Sequence, residues 1–164
     1  MLKHISFFIA PFILILACKT LKKANTGKKL GQSTLFSSIK REYCFGNCPV
    51  YELKIFKNGD AIYHGIGNVE FQGWYYSKLD NTDLDRLSEK AREINYIDLD
   101  STYYHPQGVD APYTTTSILI NKTFKKVRRQ LQYPPKLLSF ERVFDEIIES
   151  TNWEKTTEPD KEDN

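Results

Sequence analysis

The stretch that most constrains the fold is VYELKIFKNGDAIYHGIGNV, residues 50–69. Apolar and charged side chains alternate in its first half, from Tyr51 to Ile55, which is typical of a strand with one buried face. Asn58 and Gly59 then predict a hairpin turn, because both residues accept positive φ. The second half returns as another strand, so the chain contains at least one antiparallel hairpin.

Glycines interrupt the returning strand at Gly65 and Gly67. Glycine inside a strand indicates a bulge or a close approach of another backbone segment. The two glycines do not form a dinucleotide-binding fingerprint, since no third glycine follows at the required spacing and no helix is predicted there.

The remaining elements complete an α+β pattern. Further strands are predicted in LFSSIKREY (35–43), EFQGWYYSKL (70–79), TTTSILI (114–120) and TFKKVRRQL (123–131). One helix begins near Asn81, with Thr82 and Asp85 as a capping box, and the last helix lies within 133–153. Apolar residues recur at helical spacing in both helices: Leu84, Leu87, Ala91, Ile94, Leu137, Phe140, Phe144 and Ile147. We therefore expect an antiparallel sheet of about five to six strands, with two helices packed on one face.

The N-terminus has the features of an export signal. A short basic start is followed by twelve almost entirely apolar residues, Ile5–Leu16, which is too short to span a bilayer as a helix. The stretch ILAC resembles a bacterial lipobox, in which the peptidase cuts before the cysteine and the thiol carries a diacylglycerol. Residues 1–17 are therefore predicted to be a signal peptide, and Cys18 to be the lipid attachment site that holds the protein on a membrane.

Charge divides the rest of the chain. Five lysines and no acids occur from Lys19 to Lys29, so residues 18–34 are predicted to be a flexible tether. Residues 35–153 form one domain, and 154–164 an acidic disordered tail. The formal net charge of +2 gives no general attraction to nucleic acid, and none is expected as a partner.

Cys44 and Cys48 in CFGNCPVY allow three interpretations. A structural disulfide suits an exported protein, because thiols outside the cytoplasm are oxidised and Cys18 is used by the lipid. A redox-active pair would need a helix N-terminus or a basic neighbour. A copper site is the remaining alternative, since CFGNCP resembles the C-x-x-x-C-P loop of copper-delivery proteins.

The copper alternative needs a distant histidine beside the two thiolates. His64 and His105 are the candidates, and Cys44, Cys48 and His105 form the alternative metal set. The sequence departs from that family, because a strand and not a helix follows the cysteines. A disulfide is the preferred interpretation, and no cofactor is predicted.

The array from Cys44 to Gly73 also resembles an uncharacterised domain of gram-negative envelope lipoproteins. That family has a C-x-G-x-C-P-x-Y opening, an N/D-G turn and a later Tyr-rich connection, and the similarity extends over about Ile39–Trp153. The resemblance implies a fold and a location in the cell envelope. Because no acidic residue follows Cys18 directly, we expect the periplasmic side of the outer membrane. It implies no chemistry, because the family is a domain of unknown function.

No paired catalytic motif occurs in the chain, so we expect a non-catalytic binding or structural module and not an enzyme. Its partner would be a protein or a glycan. Basic and aromatic side chains offer a possible binding surface: Lys125, Arg128, Arg129, Tyr103, Tyr104 and Asp110. Basic residues in 122–129 also suit an exposed edge strand. A periplasmic copper-binding or thiol-redox protein is the alternative function.

Overall fold

The computed structural model describes residues 33–104 and 111–159. It contains eight strands and two α-helices. The strands are β1 (Leu35–Arg41), β2 (Val50–Phe56), β3 (Asp60–Gly67), β4 (Gly73–Lys78), β5 (Thr102–Tyr103), β6 (Thr114–Ile120), β7 (Thr123–Arg129) and β8 (Glu154–Lys155). The helices are α1 (Asn81–Glu93) and α2 (Lys136–Ser150), and a 3₁₀ turn, Tyr96–Asp98, follows α1.

All eight strands form one sheet in the order β5-β7-β6-β1-β2-β3-β4-β8. The predicted α+β class is confirmed, but the predicted sheet of five to six antiparallel strands is wrong. The two additional strands, β5 and β8, have two residues each, too few for any alternation to be visible in the sequence. β5 pairs parallel to β7, so the sheet is mixed. β8 pairs with Tyr75 and Tyr76, which extends the sheet into the predicted acidic tail.

One face of the sheet carries the core. Ile39, Leu53 and Tyr63 lie opposite one another across β1, β2 and β3, and all three are almost fully buried. The buried side chains of both helices belong to the same hydrophobic cluster: Leu87, Ala91, Leu137, Phe140, Val143, Phe144 and Ile147. Both helices therefore pack on this face, where their apolar stripes are buried.

The helix and turn boundaries refine two sequence expectations. The N-cap of α1 is Asp80, whose carboxylate accepts from the backbone N–H of Asp83 at 3.1 Å, so the Thr82–Asp85 capping box is wrong. Both residues of the predicted turn at Asn121 and Lys122 have positive φ, 49° and 69°, as a two-residue hairpin requires.

Gly65 in β3 lies against the chain that returns towards β4. A Cβ built on Gly65 would lie 1.8 Å from the carbonyl oxygen of Phe71 and 2.9 Å from a methyl of Val69. The register between β2 and β3 also shifts beside it, where Val50 faces Gly67 and Tyr51 faces Gly65. Both sequence alternatives, a bulge and a close backbone approach, are therefore present at this strand.

We predict that Gly65→Ala lowers the free energy of unfolding by at least about 2 kcal/mol, because the clash is with backbone that cannot move aside. The measurement is the urea midpoint of the full chain, followed by tryptophan fluorescence. Gly67→Ala is the matched control: a Cβ there meets nothing within 4 Å, so its effect should stay within about 0.5 kcal/mol. Equal effects of the two substitutions would refute the packing of residues 69–71 on β3.

Candidate functional site

A cleft of about 550 Å³ lies beside the start of β2, between α2 and the chain that connects β3 to β4. Three kinds of residue line it: a polar set at its base, apolar and aromatic side chains, and carboxylates. These residues are Arg41, Pro49, Tyr51, Tyr63, Asn68, Val69, Glu70, Phe71, Asp145, Ile148 and Glu149. Charged and polar side chains are about as numerous among these residues as apolar and aromatic ones. A concave surface of this size, on which several polar groups converge, is where a protein is expected to bind a small group.

Three side chains from three elements make the polar set. Arg41 is the last residue of β1 and Tyr51 the second residue of β2. The two are paired across the sheet, and Asp145 comes from α2. The Tyr51 hydroxyl donates to one carboxylate oxygen of Asp145 at 2.6 Å, and an Arg41 guanidinium N–H donates to the other at 2.8 Å. Arg41 Nε also donates to the Tyr51 oxygen at 2.9 Å, so each of the three groups is held by the other two.

Burial raises the pKa of Tyr51 well above its usual value, and the negative charge of Asp145 adds to that rise, which the guanidinium of Arg41 partly opposes. The hydroxyl therefore stays protonated near neutral pH and remains a hydrogen-bond donor. The cleft thus has a fixed arrangement of donors and acceptors at its base.

Glu141 is a buried carboxylate on α2 that contacts Arg41 of this polar set. Its side chain is 2% exposed and accepts two hydrogen bonds from the guanidinium of Arg129. Its second oxygen also lies 3.6 Å from Arg41 Nη1, so one buried carboxylate links β1, β7 and α2. The guanidinium of Arg129 in turn lies 4.2 Å above the ring of Tyr133. A buried carboxylate held in this way restricts the direction in which Arg41 can point.

The apolar walls follow from the close approach at Gly65. Val69 and Phe71 lie against the core, and Phe71 makes an edge contact with Tyr75, with ring centroids 5.6 Å apart. Tyr63 also lines the cleft, and its ring packs on that of Trp153 with centroids 5.5 Å apart. The family-like motif therefore contributes to the cleft through its last residue, Tyr51, and through Pro49.

The loop of Cys44 and Cys48 adjoins the cleft. The structure pairs the two cysteines with their Cα atoms 5.9 Å apart, a separation that a disulfide spans. The pair is thus capable of the predicted disulfide, and its oxidation in the cell stays a prediction. The side-chain amide of Asn68 donates to the carbonyl of Cys48 at 3.1 Å, which joins the loop to the cleft wall. Phe45 at its tip is 88% exposed.

The predicted basic and aromatic surface is distributed over different environments. Arg129 faces the helices and is bound to Glu141, whereas Arg128 faces the opposite side, where it stacks on Tyr113 at 3.7 Å and pairs with Glu42. Lys125 donates to Ser101. Tyr103 lies in the edge strand β5, and its neighbour Tyr104 is exposed. Asp110, like Cys18 and His105, lies outside the described residues.

Most of the outer edge of β7 is not paired with a described strand, which accounts for the lysines along it. β5 pairs with β7 only at Arg128 and Arg129, so the outer edge of 123–127, opposite β6, is not paired with any described strand. Lysines along such a segment oppose pairing with a second sheet, as the sequence interpretation of 122–129 proposed.

The copper alternative gains no support from the geometry. Within residues 33–104 and 111–159, no three His, Cys, Asp or Glu side chains are grouped as metal ligands. His64 lies on the uncovered face of the sheet, where its ring is stacked on Trp74 with centroids 3.8 Å apart.

No helix among the described residues is long and apolar enough to cross a bilayer.

Sequence reasoning missed Arg41, Asp145 and Glu141. The sequence contains a signal for two of these residues, Arg41 and Glu141. Arg41 continues the inward phase of Ile39 in β1, so a charge was placed on the core face of a strand. Glu141 lies four residues after Leu137, within the apolar stripe of α2. A charged residue on a buried face indicates a buried partner of opposite charge.

The fold and cleft define the class: an α+β domain with a mixed eight-stranded sheet, two helices on one face and a polar cleft at one end. Residues 37–148 match the domain of unknown function DUF6438. The match covers more than half of the chain, so this protein belongs to that family. The expected membership of an uncharacterised domain family is thereby confirmed. No curated protein matches the chain.

We predict that Glu141→Ala lowers the free energy of unfolding by roughly 3–5 kcal/mol, because it leaves two guanidinium groups partly buried without their shared carboxylate. The control is Glu146→Ala on the same helix. Glu146 is 49% exposed in its ion pair with Arg86, and its loss should cost less than about 1 kcal/mol. Urea titration measures both variants, and a similar cost for each would contradict the role assigned to Glu141.

Proposed function

We propose that this protein is a lipid-anchored module of the cell envelope that binds a partner in the cleft of Arg41, Tyr51 and Asp145. The observation that carries the binding role is the cleft itself, with a polar base held rigid by hydrogen bonds. Preorganised groups of this kind lower the entropy cost of binding. Catalysis is not part of the proposal, because Asp145 is held by donors on both oxygens and Tyr51 stays protonated.

The proposed anchor is Cys18, acylated after removal of residues 1–17. Two or three acyl chains hold a protein firmly on a bilayer. We place it on the periplasmic side of the outer membrane, because no acidic residue follows Cys18 directly. An oxidising location also suits a disulfide between Cys44 and Cys48.

The position of the cleft suits a tethered receptor. The described domain begins at Ser33, at the start of β1, whereas Arg41 lies at its far end. The seven residues of β1 separate these ends by about 20 Å. Residues 19–34 could span at most about 55 Å when extended. A chain anchored at Cys18 can therefore present the cleft away from the bilayer that holds it.

We predict that Cys18→Ala abolishes incorporation of labelled fatty acid and moves the protein from the membrane fraction to the soluble fraction, because the acyl chains are the only proposed membrane contact. Cys44→Ser is the matched control and should remain acylated and membrane-bound. Unchanged acylation in Cys18→Ala would refute the anchor.

We further predict that a photo-crosslinking residue in the cleft captures one recurrent partner in cells. The positions are Asn68 and Glu149, on opposite walls of the cleft, and the control is Glu89, which lies on α1 in a separate surface groove with Arg86 and Glu146. Both cleft positions should give an adduct of the same mass, which mass spectrometry identifies, and Glu89 should not. Adducts from all three positions alike, or from none, would refute the cleft as a binding site.

A further inference from the structure

We propose that the cleft binds a lysine or arginine side chain of a protein partner. This inference rests on the proposed function, since it names the chemical class of the ligand that the same cleft takes. Its basis is the balance of charge in the cleft, the apolar walls, and the exposed aromatic loop that adjoins it.

The charges of the cleft are unbalanced. Among the described residues that line it, Arg41 is the one cation, and it is already paired with Asp145 at 2.8 Å and lies 3.6 Å from Glu141. Two more carboxylates, Glu70 and Glu149, line the cleft, and neither has an ion-pair partner within the described residues. The empty space of the cleft is therefore bordered by uncompensated negative charge, which attracts a cation and repels phosphate or carboxylate ligands.

The base of the cleft can accept further hydrogen bonds. Each oxygen of Asp145 accepts one hydrogen bond from the protein, from Tyr51 or from Arg41, and a carboxylate oxygen has a second lone pair. The side chain of Asp145 is 38% exposed, so these lone pairs are accessible. An ammonium or guanidinium group entering the cleft would find an oriented acceptor.

The walls suit the methylene stem of such a side chain. Pro49, Val69, Phe71 and Ile148 provide apolar surface between the carboxylates and the base. Lysine and arginine bury their stems on apolar surface while the charged head makes polar contacts. A small inorganic cation would leave these walls uncovered, so the combination favours an amphipathic cation.

The neighbouring loop favours a protein as the source of that cation. Phe45 is 88% exposed, on a loop that the Cys44–Cys48 pair can close and that Asn68 joins to the cleft wall, and Tyr43, directly before that loop, is 70% exposed. Exposed aromatic side chains on a constrained loop are typical anchors of protein interfaces. The loop and the cleft together would contact a surface that presents both apolar and basic residues.

The test is an NMR titration of the ¹⁵N-labelled full chain in nonionic detergent. The probes are three blocked pentapeptides, Gly-Leu-X-Leu-Gly, in which X is lysine, norleucine or glutamate. The lysine peptide should shift the amide signals of 68–71 and 148–149 with a Kd of about 1 mM or tighter. The norleucine peptide should bind at least about fivefold more weakly, and the glutamate peptide should show no saturable shift, because exposed ion pairs are worth modest but measurable energies.

Variants assign the charge effect to the cleft. The double variant Glu70→Gln with Glu149→Gln should weaken binding of the lysine peptide about fivefold, and binding of the unchanged protein should weaken as salt is raised. Glu89→Gln is the matched control outside the cleft and should leave binding unchanged. Unchanged dispersion of the spectra shows that the variants remain folded.

Three results would overturn the inference. Equal binding of the lysine and norleucine peptides would show an apolar site and refute the cationic ligand, while leaving the cleft as a binding site. Absence of shifts in 68–71 and 148–149 with every peptide would also refute it, and the crosslinking experiment then decides the proposed function separately. A crosslinked adduct that consists of glycan instead of protein would refute the protein partner.

Discussion

Buried ion pairs between Glu141 and two arginines hold α2 against the sheet, and the cleft depends on them. The side chain of Glu141 is 2% exposed and contacts Arg129 of β7 and Arg41 of β1 from its position on α2. Burying an unpaired carboxylate at this depth would be strongly unfavourable. The charged side chain of Glu141 can therefore stay buried only while both guanidinium groups remain beside it. The helix is thereby held against two strands that are separated in the sheet by β6.

The cleft is a consequence of the same constraint. Because Glu141 and Asp145 lie one helical turn apart on α2, they approach Arg41 together, and Arg41 in turn fixes the Tyr51 hydroxyl. A second constraint forms the opposite wall, where the absence of a side chain at Gly65 lets the backbone of Phe71 lie against β3. A polar base and an apolar wall are thus produced by two independent packing requirements, and the space between them remains open.

The position of the Cys44–Cys48 loop in the fold favours a structural role beside the cleft. Taken alone, two cysteines four positions apart suggest a metal or redox centre as readily as a disulfide. In the fold, the loop connects β1 to β2 immediately beside the cleft, and Asn68 binds its carbonyl oxygen. Closing this short loop would stabilise the domain by only about 2 kcal/mol on the chain-entropy estimate. Its larger effect would be to hold Pro49 in position at the cleft.

Elements whose signals are local can be predicted from the sequence alone. Alternation predicted β2, the Asn58-Gly59 turn predicted its return as β3, and helical spacing predicted both helices with their inner residues. The sequence also predicts the other four longer strands as extended segments. The lipobox likewise predicts an anchor without reference to the fold. The two-residue strands β5 and β8 depend instead on the packing of the whole chain, since backbone pairing at a sheet edge requires no side-chain pattern. The tertiary structure also decides the cleft: Arg41 and Asp145 are 104 positions apart, and no local preference indicates that a strand end and a helix face will meet there. The physical reason is that a buried charge is stabilised by its partner, and the packing of the whole chain determines which partner is within reach.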